Sequence, residues 1–315
     1  MDQIETGTQG IKPGLAPLPT RHIPAADEKV SWGKSISFFL VHVAGLLAPL
    51  TGFSWTALGM CFFLYFTRMF AITGVYHRYF SHRTYKTSRF FQFLLAFWGA
   101  ACGQKGALWW AAHHRHHHKY SDTEQDIHSP ILRGFWWAHV GWILCDKYVE
   151  TDEEAVKDLT LYPELVWLNK YHGIAPLLLA ASLFYGGVFL EHAAPGLHTN
   201  GLQLLAWGFF TSTVLLYHGT FFINSLMHLF GRRRFNTSDW SKNSLILALV
   251  TMGEGWHNNH HRYPYAERQG IYWWEIDMTH YILVILSWLG LVWDLKGHPP
   301  EIYEEARGPK VKTAD

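Results

Sequence analysis

Four long apolar stretches set the strongest limit on what this chain can fold into. They run from about Ile36 to Leu50, Phe53 to Thr73, Ile174 to Leu190 and Leu202 to Ile223. Crossing a bilayer takes about 20 apolar residues at about 1.5 Å of helix rise each. Inside the hydrocarbon, a helix is the simplest way to satisfy every backbone N–H and C=O. The expected fold is therefore all-α and integral to a membrane, with four transmembrane helices. The first and third stretches are short, so helix-end residues must complete the crossing. Two further apolar runs, Phe90 to Cys102 and Tyr281 to Trp293, are too short to cross and are expected along the interface or inside a helical cap. Residues 36–295 then form the main domain, flanked by polar segments 1–35 and 296–315.

Composition agrees with a membrane setting and removes other classes. Hydrophobic residues make up 49% and charged residues 16% of the chain, a charged share well below that of soluble domains. The 16 Trp, 15 Tyr and 21 Phe suit helices that pass through membrane interfaces. Net charge is +1, which gives no electrostatic reason for a nucleic-acid partner. Of the 26 Lys and Arg, four precede the first stretch, eleven lie between the second and third, and ten follow the fourth; Arg68 lies within the second. The two short connecting loops hold none. The positive-inside rule places both termini and the long central region on the cytoplasmic side. The first 30 residues lack the apolar run of a cleavable signal peptide. Cys61, Cys102 and Cys145 are isolated and are expected to be reduced packing residues.

The 21 histidines nearly equal the 25 acidic residues, and many fall in clusters. His77 and His82 form the first cluster, His114, His117 and His118 the second, and His257, His260 and His261 the third. Residues three and four apart share a helix face, so the second and third clusters can each converge. Asn224 and His228 also stand four apart. All of these positions fall on the side assigned to the cytoplasm. Neutral imidazole suits iron, zinc, copper and nickel. Eight or nine imidazoles exceed what one ion needs, so two ions are the simpler reading. A structural zinc site would draw on thiolates that this chain does not cluster, and a catalytic one would leave most of these histidines unused. A ferritin-like carboxylate site needs two Glu-x-x-His motifs; Glu254-x-x-His257 supplies one, and Glu254 is expected to support the site or the fold. His113 and His116 do not share the face of their cluster and are read as spare or as orienting partners. The isolated His22, His42, His139, His172, His192, His198, His218, His280 and His298 are read as ordinary core or surface residues.

These motifs resemble the three histidine boxes of the membrane fatty-acid desaturases, in particular the Δ9 acyl-CoA/acyl-lipid branch that includes stearoyl-CoA desaturase. The likeness extends to ITGVYHRYFSHRTYK (Ile72–Lys86), GFWWAHVGW (Gly134–Trp142), NSLMH (Asn224–His228) and GEGWHNNHH (Gly253–His261), and covers roughly residues 36–295. The resemblance implies four transmembrane helices in two hairpins under a cytoplasmic helical cap. It also implies a di-iron centre, with one iron on His77, His82, His114, His118 and His260. The other would sit on His117, His228, His257 and His261, with Asn224 holding a water. It implies an acyl chain in a bent tunnel beneath the metals, O2 as co-substrate and a cis double bond as product. One departure concerns the headgroup. Animal acyl-CoA members carry Arg-Asp where this chain has Ala112-His113, so acyl-lipid and acyl-carrier-protein substrates stand open beside acyl-CoA.

The same resemblance calls for two electrons per turnover from outside. The chain has no strand–GxGxxG–helix signature for a dinucleotide and no CxxCH haem motif. A separate carrier is implied, ferredoxin or cytochrome b5 fed by an NAD(P)H reductase, docking on the cytoplasmic face. Arg232, Arg233 and Arg234 could attract an acidic carrier, although a positive-inside anchor explains them as well. Two other functions fit the clusters: a membrane di-iron hydroxylase of alkanes, sterols or carotenoids, and a membrane metal carrier. A carrier needs polar residues along a path through the bilayer, and the spans offer only His42 and Arg68.

Overall fold

The computed structural model describes residues 27–307. His22, most of the N-terminal polar segment and the end of the C-terminal one lie outside these residues. Helix α1 (Ile36–Leu46) ends in a 3-10 turn (Ala48–Thr51), and Gly52 at φ 86° reverses the chain. Ser54 then caps α2 (Trp55–Phe70) by accepting the Ala57 N–H at 3.1 Å. Helix α2 continues without a break as a wide-turn helix, Ala71–Ser81. The chain proceeds through β1 (Lys86–Thr87), α3 (Arg89–Ala100), α4 (Ala107–Tyr120), α5 (Pro130–Arg133), a wide-turn segment (Trp137–Gly141), α6 (Lys157–Thr160), α7 (Pro163–Lys170) and α8 (Ile174–Ala193). After it come α9 (Gly201–Gln203), a second long wide-turn segment (Leu204–Thr211), α10 (Ser212–Leu229), α11 (Leu245–Val250), α12 (His257–Arg262), α13 (Met278–Trp288), β2 (Val292–Trp293) and α14 (Glu301–Ala306). The fold is mostly helical, as expected. Its small sheet pairs β1 antiparallel to β2, with Lys86 opposite Trp293 and Thr87 opposite Val292.

Among the described residues, two helices are long and apolar enough to cross a membrane, Trp55–Ser81 with 27 residues and Ile174–Ala193 with 20. This is narrower than the four expected. The first apolar stretch yields only the 11 residues of α1 and a 3-10 turn, and 11 residues of α-helix rise about 16 Å against a hydrocarbon thickness of about 30 Å. The fourth stretch lies in the run from α9 through α10, which is helical throughout. The two shorter apolar runs became α3 and α13. On α8, Leu177, Leu178, Tyr185 and Phe189 all point outward without protein cover, a surface suited to lipid rather than water.

The helices meet around two apolar clusters. Ala57 and Leu64 of α2, Leu183 of α8, and Leu204 and Phe209 of the wide-turn segment form one. There α8 and α9 approach backbone to backbone: a Cβ on Gly187 would lie 2.5 Å from the Asn200 carbonyl oxygen. The larger cluster surrounds the Ala71–Ser81 helix, with Ile72, Val75, Tyr76 and Phe80 packed on α3 and α4. Arg68 is fully buried between them. Its guanidinium donates to the Leu64 and Ala101 carbonyls and to the Ser212 and Thr213 hydroxyls, the last at 2.9 Å. It ties α2 to α10. Cys61, Cys102 and Cys145 are buried and free, as expected.

Candidate metal centre

The spacing His77-x4-His82 is awkward for an α-helix, where five residues at about 100° each leave two side chains about 140° apart. The chain meets this by changing helix type. From Ala71 to Ser81 the hydrogen bonds step by five residues instead of four, and the His82 N–H donates to the His77 carbonyl at 3.2 Å. The two imidazoles then lie edge to face with ring centroids 4.9 Å apart.

Helices α4 and α12 each carry one of the three-histidine clusters, and each divides it. His114 and His118, one helical turn apart, join His77, His82 and His260. His117, turned about 100° from His118, joins His228, His257 and His261. On α12 the division is reversed, with His260 in the first group and His257 and His261 in the second. Within each group, one nitrogen per residue lies within 4.8 Å of all the others. Facing Nε2 atoms approach to 2.7 Å for His82–His114, 2.9 Å for His118–His260, 3.0 Å for His77–His260 and 3.1 Å for His228–His257.

A neutral imidazole has one N–H and one lone pair. A cage this tight cannot pair every inward nitrogen with another, whereas a cation accepts all the lone pairs together. His261 Nε2 makes the point directly: it is buried and has no hydrogen-bond partner among the described residues. Burial, reinforced by the neighbouring imidazoles, holds His82, His114, His118, His257 and His260 well below the usual histidine range. They are therefore neutral at physiological pH, the form that binds metal. The donor set fits a metal site: imidazoles in two groups, no thiolate, and four outer nitrogens held by carboxylates.

Four outer nitrogens are held by carboxylates. His77 Nδ1 lies 2.6 Å from Glu254, His228 Nδ1 2.7 Å from Asp122, His261 Nδ1 2.6 Å from Asp239 and His117 Nδ1 3.1 Å from Asp126. Donation from Nδ1–H sets the tautomer and aims the Nε2 lone pair inward. Burial alone would raise Asp122, Asp126 and Asp239, but the facing imidazoles pull all three below the ordinary carboxylate range. Glu254 has the supporting part expected of it, and it also accepts from Arg78 at 3.1 Å. The three aspartates escaped sequence reasoning. Asp122 and Asp239 lie 106 and 22 residues from the histidines they meet, and nothing in their neighbourhood marks them. His128 was missed for the same reason. It is a single histidine that packs face to face on His117 at 4.4 Å, next to Asp126.

The other residues named from sequence separate cleanly. Asn224, one turn before His228 on α10, lines a small cavity with His77, His114 and Glu254. His113 donates from Nδ1 to the Trp109 carbonyl at 2.8 Å, and His116 meets the Gln125 carbonyl at 2.9 Å; neither joins a group. His42, His218 and His139 form a chain, 3.3 Å and 2.9 Å between successive nitrogens, that ends on Ser225 Oγ at 3.0 Å. It links α1, α10 and the Trp137–Gly141 segment. A larger cavity of about 380 Å³ adjoins the first histidine group. Phe38 and Val41 of α1, Trp109 and Trp110 of α4, and Tyr217 and Phe221 of α10 wall it, and it reaches His114 and Asn224.

The comparisons with known proteins point the same way. The family model described as Fatty acid desaturase matches residues 53–286. The chain is 36% identical over 302 residues to an Acyl-CoA C20 Delta5-desaturase of Anemone leveillei, covering 91% of this chain and 92% of that protein. It is 36% identical over 276 residues to an sn-1 stearoyl-lipid 9-desaturase of Synechocystis sp., covering 86% and 81%. It is 35% identical over 283 residues to a chloroplastic palmitoyl-monogalactosyldiacylglycerol delta-7 desaturase of Arabidopsis thaliana, covering 85% and 72%. With its paired histidine groups, the adjoining apolar cavity and this extent of similarity, the chain belongs to the fatty acid desaturase family.

Proposed function

We propose that the protein is an O2-dependent fatty-acyl desaturase that holds two iron ions and places a cis double bond, first expected at Δ9, in a saturated long acyl chain. The observation that carries this reading is the pair of imidazole groups beside an apolar cavity. His77, His82, His114, His118 and His260 would hold one iron. His117, His228, His257 and His261 would hold the other, with Asn224 holding a water. Bound iron would supply the redox chemistry with O2 that breaks an unactivated C–H bond, which acid–base groups cannot do.

The chain's own residues supply position and dryness. The walls from α1, α4 and α10 would hold one C–C bond of the substrate against the histidine groups, which is how geometry sets double-bond position. Trp110 is part of that wall, and its ring stacks on His114 at 5.1 Å. Gln104 donates to Thr220 Oγ1 at 2.9 Å and so fixes the loop after α3 to α10 at the cavity edge. The apolar lining keeps water from the reacting carbons. In balance, the acyl chain loses two hydrogens and gains one C=C bond. O2 leaves as two waters after also taking two electrons from an external carrier, of the ferredoxin or cytochrome b5 kind, and two protons from solution.

The relatives act, by their names, on acyl-CoA and acyl-lipid substrates at Δ5, Δ7 and Δ9. An acyl thioester or acyl lipid is therefore the substrate class, and the bond position is the first quantity to measure. The distribution of basic residues supports four crossings, with both termini and the histidine groups on the cytoplasmic side. The test is expression in a host lacking its own desaturase, with fatty-acid methyl esters analysed for double-bond position. Wild type is expected to yield a cis alkene, and His118→Ala none. A hydroxylated product would replace this reading with the hydroxylase. An active His118→Ala variant would overturn the assignment of His118.

A further inference from the structure

The two histidine groups differ in what stands behind them. Three buried carboxylates back the group of His117, His228, His257 and His261: Asp126, Asp122 and Asp239. Apart from the imidazoles, all their hydrogen-bond donors are neutral. Asp122 accepts from Ser129 Oγ at 2.5 Å and the Trp240 N–H at 2.8 Å. Asp126 accepts from the Asp122 and His128 N–H groups at 2.8 and 3.1 Å. Asp239 accepts from the Thr237 hydroxyl and from the N–H and hydroxyl of Ser241. Among the described residues, no Lys or Arg forms an ion pair with any of the three. Buried negative charge without a cation is costly, so this pocket asks for positive charge.

The group of His77, His82, His114, His118 and His260 is backed by Glu254. That carboxylate is shared with Arg78 at 3.1 Å, and Arg78 in turn pairs with Asp277 at 3.0 Å. Arg78 also faces Glu267 at 3.6 Å. Only one carboxylate therefore touches the imidazoles of this group, against three in the other, and that one shares its charge with a fixed guanidinium. Counting nitrogens alone would favour the five-histidine position. The charges favour the other.

We propose that the two positions hold metal unequally: the four-histidine position, backed by Asp122, Asp126 and Asp239, binds the first and tighter ion, and the five-histidine position binds the second and looser one. This rests on the metal-binding reading above. Asp122, Asp126 and Asp239 act as positioning residues, through the imidazoles they hold.

The experiment uses the full chain in detergent micelles, stripped of metal and titrated anaerobically with Co(II) as the probe. Bound metal is counted per protein across a series of chelator strengths, and the visible ligand-field spectrum of Co(II) is followed in parallel. Wild type is expected to release one ion well before the other. His118→Ala is expected to keep the tight ion, and His257→Ala to lose it. Asp239→Asn is expected to weaken the tight step by about 10–100-fold and leave the loose step in place. Release of both ions in one step from wild type overturns the proposal without needing any variant to fold. So does a tight ion retained in His257→Ala and lost in His118→Ala. Protein that binds no Co(II) at all would instead remove the metal-centre reading beneath it.

Discussion

Arg78 follows His77 in the chain but serves a different network. Fully buried, it donates to both oxygens of Asp277 at 3.0 and 3.1 Å and to Glu254 at 3.1 Å. Arg78→Met would leave these carboxylates buried without their cation. It is expected to cost about 3–5 kcal/mol, measured as the shift in unfolding free energy in detergent. Asp277 also accepts the Gln269 N–H at 2.8 Å and caps α13 through the His280 N–H at 3.0 Å. Burial raises its pKa, but the charge of Arg78 together with the hydrogen bonds from Arg78, Gln269 and His280 outweighs burial, and the net shift is downward. A depressed carboxylate contributes stability that is present above its unfolded value, about 3.9, and is lost as pH falls through its folded value. The stability gap between wild type and Asp277→Asn is therefore expected to be constant at neutral pH and to shrink below about pH 4. A gap that widens in acid would contradict the sign.

At the scale of elements, two local devices position everything else. The first is the change from α-helical to five-residue hydrogen-bond steps at Ala71–Ser81, which faces His82 toward His77. Inserting an alanine after Phe80 lengthens the spacing to six, which leaves the two side chains about 120° apart on an α-helix. It is expected to remove His82 from its group and lower bound metal by one ion per chain, counted by metal analysis. The second is the close approach of α8 to α9. Gly187→Leu would drive a side chain into the Asn200 backbone, whereas a Cβ on neighbouring Gly186 meets nothing within 4 Å. The first substitution is expected to cost about 1–3 kcal/mol and Gly186→Leu close to nothing, compared by unfolding midpoints in the same detergent.

Across the whole molecule, the histidine groups draw side chains from the helix after α2, from α4, from α10 and from α12. Any ion bound there ties segments that begin near residue 77 to segments that end near residue 261. Such an ion stabilises only the folded chain, by about 2.7 kcal/mol for each site when free metal stands 100-fold above its Kd. Stripping metal is expected to lower the unfolding temperature, and adding Fe(II) back without oxygen to restore it. An unchanged midpoint would mean that the cage is held by protein contacts alone.

Helix content, the apolar runs and the three histidine clusters were legible in the chain because each is local: a period, a run length or an i, i+4 spacing. The family resemblance followed from the same short motifs. Local pattern marked the first stretch as short but did not show where α1 ends, because helix ends are set by turns such as the one at Gly52. It also did not reveal Asp122, Asp126 and Asp239, which meet their histidines only through the packing of α4, α10, α12 and the loops between them. An imidazole's affinity for metal is written in its residue type. Which nitrogen points inward, and how much negative charge stands behind it, is a property of neighbours brought from elsewhere in the chain, and only the tertiary structure decides that.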